Sequence, residues 1–176
     1  IYRGLVGSEM CIRDSSYHGV PERHIRKSDL TGSHCKIDGI CCNTPSKAHE
    51  ECYRHQCFET TKLVAEALNI PLEKCLSTFQ SRLGIDPWLK PYTADTLEKL
   101  PDNGITKLAV LTPSFVSDCL ETIEEMDMEN REIFEEAGGV VYDFIPCLND
   151  SDPWIDALEK WVKDWCVNKL PTQHIA

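Results

Sequence analysis

Acidic residues crowd the stretch from Asp118 to Glu136, which contains a single basic residue, Arg131. Three of these acids, Glu121, Glu125 and Glu129, recur at every fourth position. On an α-helix this spacing stacks carboxylates along one face, and each like-charged pair destabilises an isolated helix by about 0.2–0.5 kcal/mol. Oxygen ligands in a row suit a divalent cation that moves along a groove. The spacing therefore predicts a metal path, although a solvated acidic helix face would show the same pattern.

A second chemical signal is His18, which lies between Tyr17 and Gly19 at the end of a predicted strand. A neutral imidazole can bind a divalent cation or take a proton from an acidic N–H group. A packed or surface histidine is the competing interpretation. Gly19 favours a functional role because a residue without Cβ allows backbone or ligand to approach closely.

Half of the ten cysteines fall in one irregular, polar segment. Four thiolates suit either tetrahedral zinc or a [2Fe–2S] cluster, and their C-x5-C-C-x9-C spacing is typical of neither. Four reduced, packed thiols are the remaining alternative. A chain of this length does not need disulfide staples, so we expect a reducing, cytoplasmic setting. The candidate ligands are Cys35, Cys41, Cys42 and Cys52, with Cys57 just beyond them.

The elements that would position these residues alternate between strand and helix, which predicts an α/β fold with a Rossmann-like parallel sheet flanked by helices. Ligands of such sheets bind beyond the carboxyl ends of strands, and the acidic helix follows one strand directly. The predicted strands are Cys75–Gln80, Lys107–Leu111 and Val140–Ile145, after a strand end at Ser16–Val20. The predicted helices are Ala48–Leu68, Thr93–Leu100, the acidic helix, a second acidic helix ending at Gly138, and a final helix from Ser151 or Asp152. The predicted apolar faces are Phe58, Leu63, Val64, Ala67 and Leu68 on the first helix, and Val116, Leu120 and Ile123 on the acidic helix.

Length and charge exclude several classes of protein. The 176 residues are enough for one domain with a core. The net charge of −11, with no cluster of Lys and Arg, argues against a nucleic-acid surface. No apolar run approaches the roughly 20 residues of a membrane-spanning helix, so we expect no transmembrane segment. Peripheral contact with the inner membrane stays open.

Residues 1–15 differ in character from the rest of the chain. The segment from Gly4 to Ser15 resembles a translated sequencing adapter. We therefore expect residues 1–15 to be a foreign or unstructured leader. The α/β domain then covers residues 16–176, with a cysteine-rich insertion at about 30–57.

Three segments, taken together and in this order, resemble the ferrochelatase family, whose members insert ferrous iron into a porphyrin. The likeness runs from Ser16 nearly to the C-terminus. The segments are Ser16–Arg23 (SYHGVPER), Phe79–Gly84 (FQSRLG) with Pro87–Pro91 (PWLKP), and Phe115–Thr122 (FVSDCLET).

The resemblance implies that His18 and Glu121 face each other across the porphyrin as the catalytic and metal-binding pair. Glu125 and Glu129 would extend the path of iron or of released protons. The implied metal is Fe²⁺, as a substrate, and the implied process is haem biosynthesis.

The resemblance also implies the rest of the substrate site. Trp88 and Phe115 look like the aromatic residues beside the porphyrin. The family fold has two Rossmann-like halves with the porphyrin between them, and this chain resembles the second half. We therefore expect the missing N-terminal half to be a partner, and the chain alone to be inactive.

Two departures from the family matter. A histidine usually occupies the position of Cys119, so either the metal ligands here are softer or this position does not bind metal. The segment Cys35–Cys52 looks like an insertion, and some bacterial ferrochelatases hold a [2Fe–2S] cluster by four cysteines in such a segment. The resemblance thus favours a cluster over zinc, with Cys57 as a substitute ligand.

Two other functions stay open. One is a non-enzymatic iron–sulfur or zinc module for sensing, which would leave His18 and Glu121 without a purpose. The other is a cobalt or nickel chelatase of the same fold.

Overall fold

A computed structural model describes residues 11–168 and shows one sheet of four parallel strands in this range. The strand order is β2-β1-β3-β4, which confirms the predicted parallel α/β architecture. The two apolar runs that predicted strands at 75–80 and 107–111 are strands with these bounds. The strands are β1 (Cys11–His18), β2 (Cys75–Gln80), β3 (Lys107–Leu111) and β4 (Val141–Phe144).

Helices connect the strands and cover the sheet. Short 3₁₀ turns at Lys47–Glu50, Leu72–Lys74 and Pro101–Asn103 join them. The α-helices are α1 (Glu22–Lys27), α2 (Ile40–Asn43), α3 (Tyr53–Ala67), α4 (Thr93–Leu97), α5 (Asn130–Glu136) and α6 (Asp152–Asn168), and a π-helix covers Glu121–Glu129.

The strand order creates a switch point between β1 and β3. From β1 the chain passes to β2 on one side, then crosses to β3 and continues outward to β4 on the other side. The connections before and after the switch diverge, which opens a crevice at the carboxyl ends of the central strands. His18 ends β1 at this edge, and the segment leading to the π-helix follows β3.

Two apolar clusters form the core. The first packs β3, α4, α5 and the π-helix, and the second packs the carboxyl half of β1 and β2 against α1 and α3. Buried members of the first are Leu97, Leu100, Leu108, Val110, Met126, Phe134 and Tyr142. Buried members of the second are Tyr17, Ile25, Cys57, Phe79 and Leu89.

Helix α3 differs from its prediction in both start and buried face. It begins at Tyr53, because residues 47–50 form a separate 3₁₀ turn. Its predicted apolar residues Leu63 and Leu68 are 60% and 54% exposed. The buried residues are Arg54, Cys57, Thr61 and Ala65. Small and hydrogen-bonding side chains allow the helix to lie close to the sheet, where the Thr61 hydroxyl is 2.9 Å from that of Tyr17.

The prediction for the acidic helix is also wrong, both in the type of helix and in the residues that are buried. It is a π-helix, with hydrogen bonds from residue i to i+5, so it turns less per residue than the predicted α-helix. The amide N–H of Asn130 accordingly donates to the carbonyl of Glu125. The predicted apolar residues Leu120 and Ile123 are exposed, whereas Met126 is fully buried.

The first strand extends into the stretch predicted to be an unstructured leader. Residues 11–15 pair with β3, residues 13–15 pair also with β2, and Asp14 is buried in the sheet. Burial raises the pKa of Asp14 to about 7, although the Thr78 hydroxyl donates to it. The part of the leader from Cys11 to Ser15 is therefore structured, because the central strand needs it to reach both neighbours. The foreign origin of residues 1–15 stays a prediction, and residues 1–10 lie outside the described range.

Candidate active site

His18 occupies the carboxyl end of the central strand and is held through its backbone on both sides. Its N–H donates to the Ser114 hydroxyl at 3.1 Å, and its carbonyl accepts from the Tyr53 hydroxyl at 2.8 Å. The ring Nδ1 lies 2.6 Å from the carbonyl oxygen of Gly19. Because a carbonyl only accepts, Nδ1 carries the proton, and the lone pair of the neutral ring is on Nε2. His18 is thus oriented as a base or a metal ligand through Nε2.

Glu121 begins the π-helix and lies close enough to His18 to interact with the charge of the protonated ring. The pKa of its carboxyl is lowered, first by a hydrogen bond from the Cys119 thiol, then by its own backbone N–H, and also by His18. The side chain is therefore an anion, available to a cation or a proton. The structure brings together the histidine and the glutamate that the sequence singled out.

The three glutamates of the four-residue repeat share one open depression of about 350 Å³ with Leu120 and Glu124. We call this surface the acidic depression. Glu125 differs from the others because Ser81 donates to its carboxylate through both the backbone N–H, at 2.7 Å, and the hydroxyl, at 2.5 Å. Glu125 is a fixed anchor, while Glu124 and Glu129 are exposed. Glu124 lies outside the four-residue repeat, and the sequence did not point to it.

The predicted aromatic residues flank the His18–Gly19 segment. The ring centroids of Phe115 and His18 are 6.0 Å apart. A Cβ at Gly19 would lie 2.7 Å from the Gln80 carbonyl oxygen and 3.2 Å from the Trp88 ring. Of the two roles predicted for Gly19, close approach of backbone or of ligand, the structure shows the close approach of protein atoms.

Phe115 also lines an apolar hollow of about 270 Å³ at the ends of β3 and β4. A mostly hydrocarbon wall next to a base and an acid suits a flat, apolar ligand with polar atoms at its centre. The wall residues are Leu111, Thr112, Pro113, Phe115, Ile145, Pro146, Cys147 and Leu148.

Asp118 fastens the start of the π-helix to the loop after β4. Its carboxylate accepts from the Asn149 side chain at 2.7 Å, from the Cys147 N–H at 3.2 Å and from the Thr122 hydroxyl at 3.2 Å. The Asn149 hydrogen bond is the largest of the contacts that lower the pKa of Asp118. From sequence, Asp118 was only one acid among many, because Cys147 and Asn149 lie about 30 residues away in the chain.

The four candidate cysteine ligands line a single small cavity, and we call them the cysteine set: Cys35, Cys41, Cys42 and Cys52. The Cys42 thiol donates to the Cys52 sulfur, which raises the pKa of Cys42 and lowers that of Cys52. Cys57 does not line this cavity and is buried in the second core cluster. Within residues 11–168, no three His, Cys, Asp or Glu side chains are already arranged as a metal site.

Polar contacts that the sequence did not reveal order the walls of this cavity. The Asp29 carboxylate accepts from the backbone N–H groups of His34 and Cys35, at 2.8 and 2.9 Å. His34 and His49 each place Nε2 within 2.9 Å of the Cys41 carbonyl oxygen. The cysteine-rich segment is therefore folded around its thiols by hydrogen bonds.

Fold and site define a parallel α/β protein with a His–Glu pair at the switch point of its sheet. None of the helices in the described range is long and apolar enough to cross a bilayer. The ferrochelatase family model matches residues 15–165. The chain belongs to the ferrochelatase family.

Curated relatives agree with this assignment. The ferrochelatase of Opitutus terrae is 48% identical over 150 residues, which are 85% of this chain and 44% of the relative. The Pseudomonas fluorescens ferrochelatase is 46% identical over 144 residues, or 81% of this chain and 42% of the relative. The Pseudomonas syringae ferrochelatase is 43% identical over 145 residues, which are 82% of this chain and 43% of the relative. The chain thus spans less than half the length of these relatives.

Proposed function

We propose that the complete protein inserts ferrous iron into a porphyrin, as the name of its relatives states. The observation that carries this proposal is the proximity of His18 to an ionised Glu121 at the switch point of the sheet. The acidic depression adjoins this pair, and the apolar hollow lies next to Phe115. A base, an anion and an apolar wall are the groups that metal insertion into a macrocycle requires.

The proton chemistry follows from the orientation of His18. Insertion must remove two pyrrole protons, and a neutral imidazole with its lone pair on Nε2 can accept one of them. The hydrogen bond from Nδ1 to the Gly19 carbonyl keeps the ring in this tautomer and stabilises the imidazolium that forms. Glu121, facing His18 across the porphyrin, remains ionised and attracts the incoming Fe²⁺ or the second proton.

The exposed acids Glu124 and Glu129 supply the approach to this pair. Carboxylates in a shared depression concentrate a divalent cation and exchange it between oxygen ligands. Glu125, held by Ser81, fixes the middle of this surface. We propose that iron or protons move along it.

The porphyrin site needs more protein than this chain provides. The apolar hollow lines one side of a macrocycle, and the curated relatives are more than twice as long as the matched region. We propose that an N-terminal half completes the cleft, and that residues 16–176 alone do not turn over.

The test is iron insertion by full-length enzyme that carries His18→Ala, Glu121→Gln or Glu121→Ala. We expect each to lower kcat by about 10²-fold or more, the range of a lost general base. Glu136→Gln, which removes a charge from the exposed end of α5, is the matched control and should keep normal turnover. Near-normal turnover in the His18 or Glu121 variants would disprove the assignment.

We also propose that the cysteine set holds a metal group. Sulfur ligands suit a [2Fe–2S] cluster, whose bound state would tie together the cysteine-rich segment and give it redox sensitivity. All ten cysteines are free thiols, and this supports our proposal that the protein functions in a reducing cytoplasm. Tetrahedral zinc is the alternative that four thiolates also suit. Anaerobic purification decides between them: visible absorption bands lost in Cys41→Ser indicate a cluster, and a colourless protein with one zinc per chain indicates zinc.

A chelatase for cobalt or nickel is the second candidate, and Cys119 is the observation that favours it. Its thiol lies next to Glu121 and offers a softer ligand than oxygen. Competition between Fe²⁺, Co²⁺ and Ni²⁺ in the same assay decides this. If Cys119→His shifts preference toward Fe²⁺, the thiol takes part in the choice of metal.

A further inference from the structure

Helix α3 begins at the boundary between the cysteine set and the candidate active site. Cys52 is the residue directly before the helix, and Tyr53 is its first residue. The Cys52 sulfur contacts the Cys42 thiol, whereas the Tyr53 hydroxyl reaches the His18 carbonyl at 2.8 Å. Two adjacent residues therefore face the two sites of the molecule.

The hydrogen bond from Tyr53 holds the peptide group between His18 and Gly19, which directly precedes the carbonyl that accepts from the imidazole. This group joins the His18 carbonyl to the Gly19 N–H, and that N–H donates to Gln80 at 2.8 Å. The ring Nδ1 in turn binds the carbonyl of Gly19. Tyr53 and Gln80 thus hold the two ends of the peptide group before the Gly19 carbonyl, so a displacement of Tyr53 acts on the backbone that orients the imidazole.

A second contact from the same turn makes the connection stiff. The Arg54 guanidinium is buried and donates to the Ile37 carbonyl at 3.1 Å, inside the cysteine-rich segment. It also donates to the Lys90 carbonyl at 3.3 Å, in the loop that carries Trp88. The first turn of α3 thus cannot shift relative to the cysteines without straining contacts at the porphyrin side.

We propose that Tyr53 is a positioning residue that couples the cysteine set to His18. The inference rests on the proposed function only for the catalytic role of His18, since the coupling itself is a property of the fold. Any change that moves Cys52, such as metal loading or loss, reorients the base through one hydrogen bond. The cysteine-rich segment then controls insertion without touching the porphyrin.

The experiment is a double-mutant cycle in the full-length protein. Tyr53→Phe keeps the ring packing and removes the hydroxyl, and Cys42→Ser alters the contact with Cys52. The readout is the imidazole resonance of His18 in protein with isotope-labelled histidine, assigned by its loss in His18→Gln. We expect Cys42→Ser to shift this resonance in the wild-type background and to leave it unchanged in Tyr53→Phe.

Three controls sharpen the cycle. Ser114→Ala loosens His18 from the opposite side, so Cys42→Ser should still shift the resonance in that background. Cys166→Ser, on exposed α6, should shift nothing. Cys35→Ser replaces Cys42→Ser if the latter fails to fold by circular dichroism.

Turnover gives an independent readout. Tyr53→Phe should lower kcat by roughly threefold to tenfold, the value of one hydrogen bond, with less than a twofold change in the KM for porphyrin. Equal shifts of the His18 resonance in both backgrounds, or no shift in either, overturn the coupling. The two measurements are separable. If the His18→Ala enzyme turns over normally while the coupling between Cys42 and the His18 resonance persists, the proposed catalytic role of His18 is wrong and the coupling through Tyr53 is still supported.

Discussion

The Ser81 backbone N–H and hydroxyl both donate to the Glu125 carboxylate, which ties the end of β2 to the middle of the π-helix. Ser81 has a positive φ of 63°, a conformation rare for a residue with a side chain. The turn that aims both donors at one carboxylate is thus maintained against its local preference. Glu125 serves the site first as an anchor.

Replacing Ser81 by Ala should loosen this anchor. One of two hydrogen bonds to a charged group is lost, so we expect the free energy of unfolding to fall by about 1–2 kcal/mol. Iron insertion should fall several-fold through a raised KM for iron, because the acidic depression loses its fixed centre. Denaturant titration and initial rates measure the two effects, and Ser117→Ala, on an exposed loop residue, is the control. Unchanged stability and KM would show that the anchor is dispensable.

The Asp118–Asn149 contact should tolerate reversal better than deletion. Asp118→Ala leaves the Cys147 N–H and the start of the π-helix without their acceptor, and should cost about 1–2 kcal/mol and lower kcat. Asn149→Asp alone places two carboxylates together and should be similarly harmful. The double exchange Asp118→Asn with Asn149→Asp restores one charge and one amide, so stability and kcat should recover in part. Additive losses in the double variant would contradict a direct contact.

Acid should weaken the cysteine-rich segment through Asp29. Hydrogen bonds, the largest from the Cys35 N–H, hold the pKa of this carboxyl well below its usual range. A lowered folded-state pKa means that the stabilisation is complete above the unfolded pKa of about 3.9 and is lost as pH falls below it. Unfolding midpoints from pH 6 to pH 2 should therefore drop more steeply in the wild type than in Asp29→Asn. Asp102→Asn, in an exposed turn, controls for the loss of one charge, and parallel curves for wild type and Asp29→Asn would refute the role.

Asp14 makes stability depend on pH in the opposite direction. Its pKa is raised to about 7 by burial, so the folded state binds the proton more tightly than the unfolded state. Stability then falls as pH rises from about 3.9 through 7. Asp14→Asn should raise the free energy of unfolding by about 4 kcal/mol at pH 8 and change it little at pH 4. Equal stability of the two proteins at pH 8 would mean that the buried carboxylate is accommodated.

The sequence predicted the parallel α/β class and the bounds of two strands, but neither the start of the central strand nor the helix faces. Cys75–Gln80 and Lys107–Leu111 were found because short apolar runs bounded by turn residues are typical of buried strands. Leu63 and Leu68 were predicted to face the core because they are hydrophobic. The face that packs closely on the sheet instead carries smaller residues such as Ala65. Periodicity also assumes an α-helix, so in the π-helix the predicted apolar residues Leu120 and Ile123 are exposed and Met126 is buried instead.

For the site, the pairing of His18 with Glu121 followed from strand ends and from three segments that resemble one family. The contacts Tyr53–His18 and Ser81–Glu125 could not be predicted, because their partners are 35 and 44 positions apart and neither residue type is unusual. The cysteine set was grouped from proximity in sequence, and Cys57, which was given only as a substitute ligand, lies outside the cavity.

The π-helix makes this part of the protein sensitive to its residue count. Its two ends are fixed, one by the hydrogen bonds of Asp118 and the other by Asn130, whose side chain donates to the Glu125 carbonyl at 2.7 Å. Deleting one residue between these ends would allow i to i+4 hydrogen bonds, and would turn Glu121 and Glu129 toward different directions. A point substitution here changes one side chain, while a single-codon deletion would realign every carboxylate at once. In this segment, length is as strong a constraint on the site as the chemistry of any single residue.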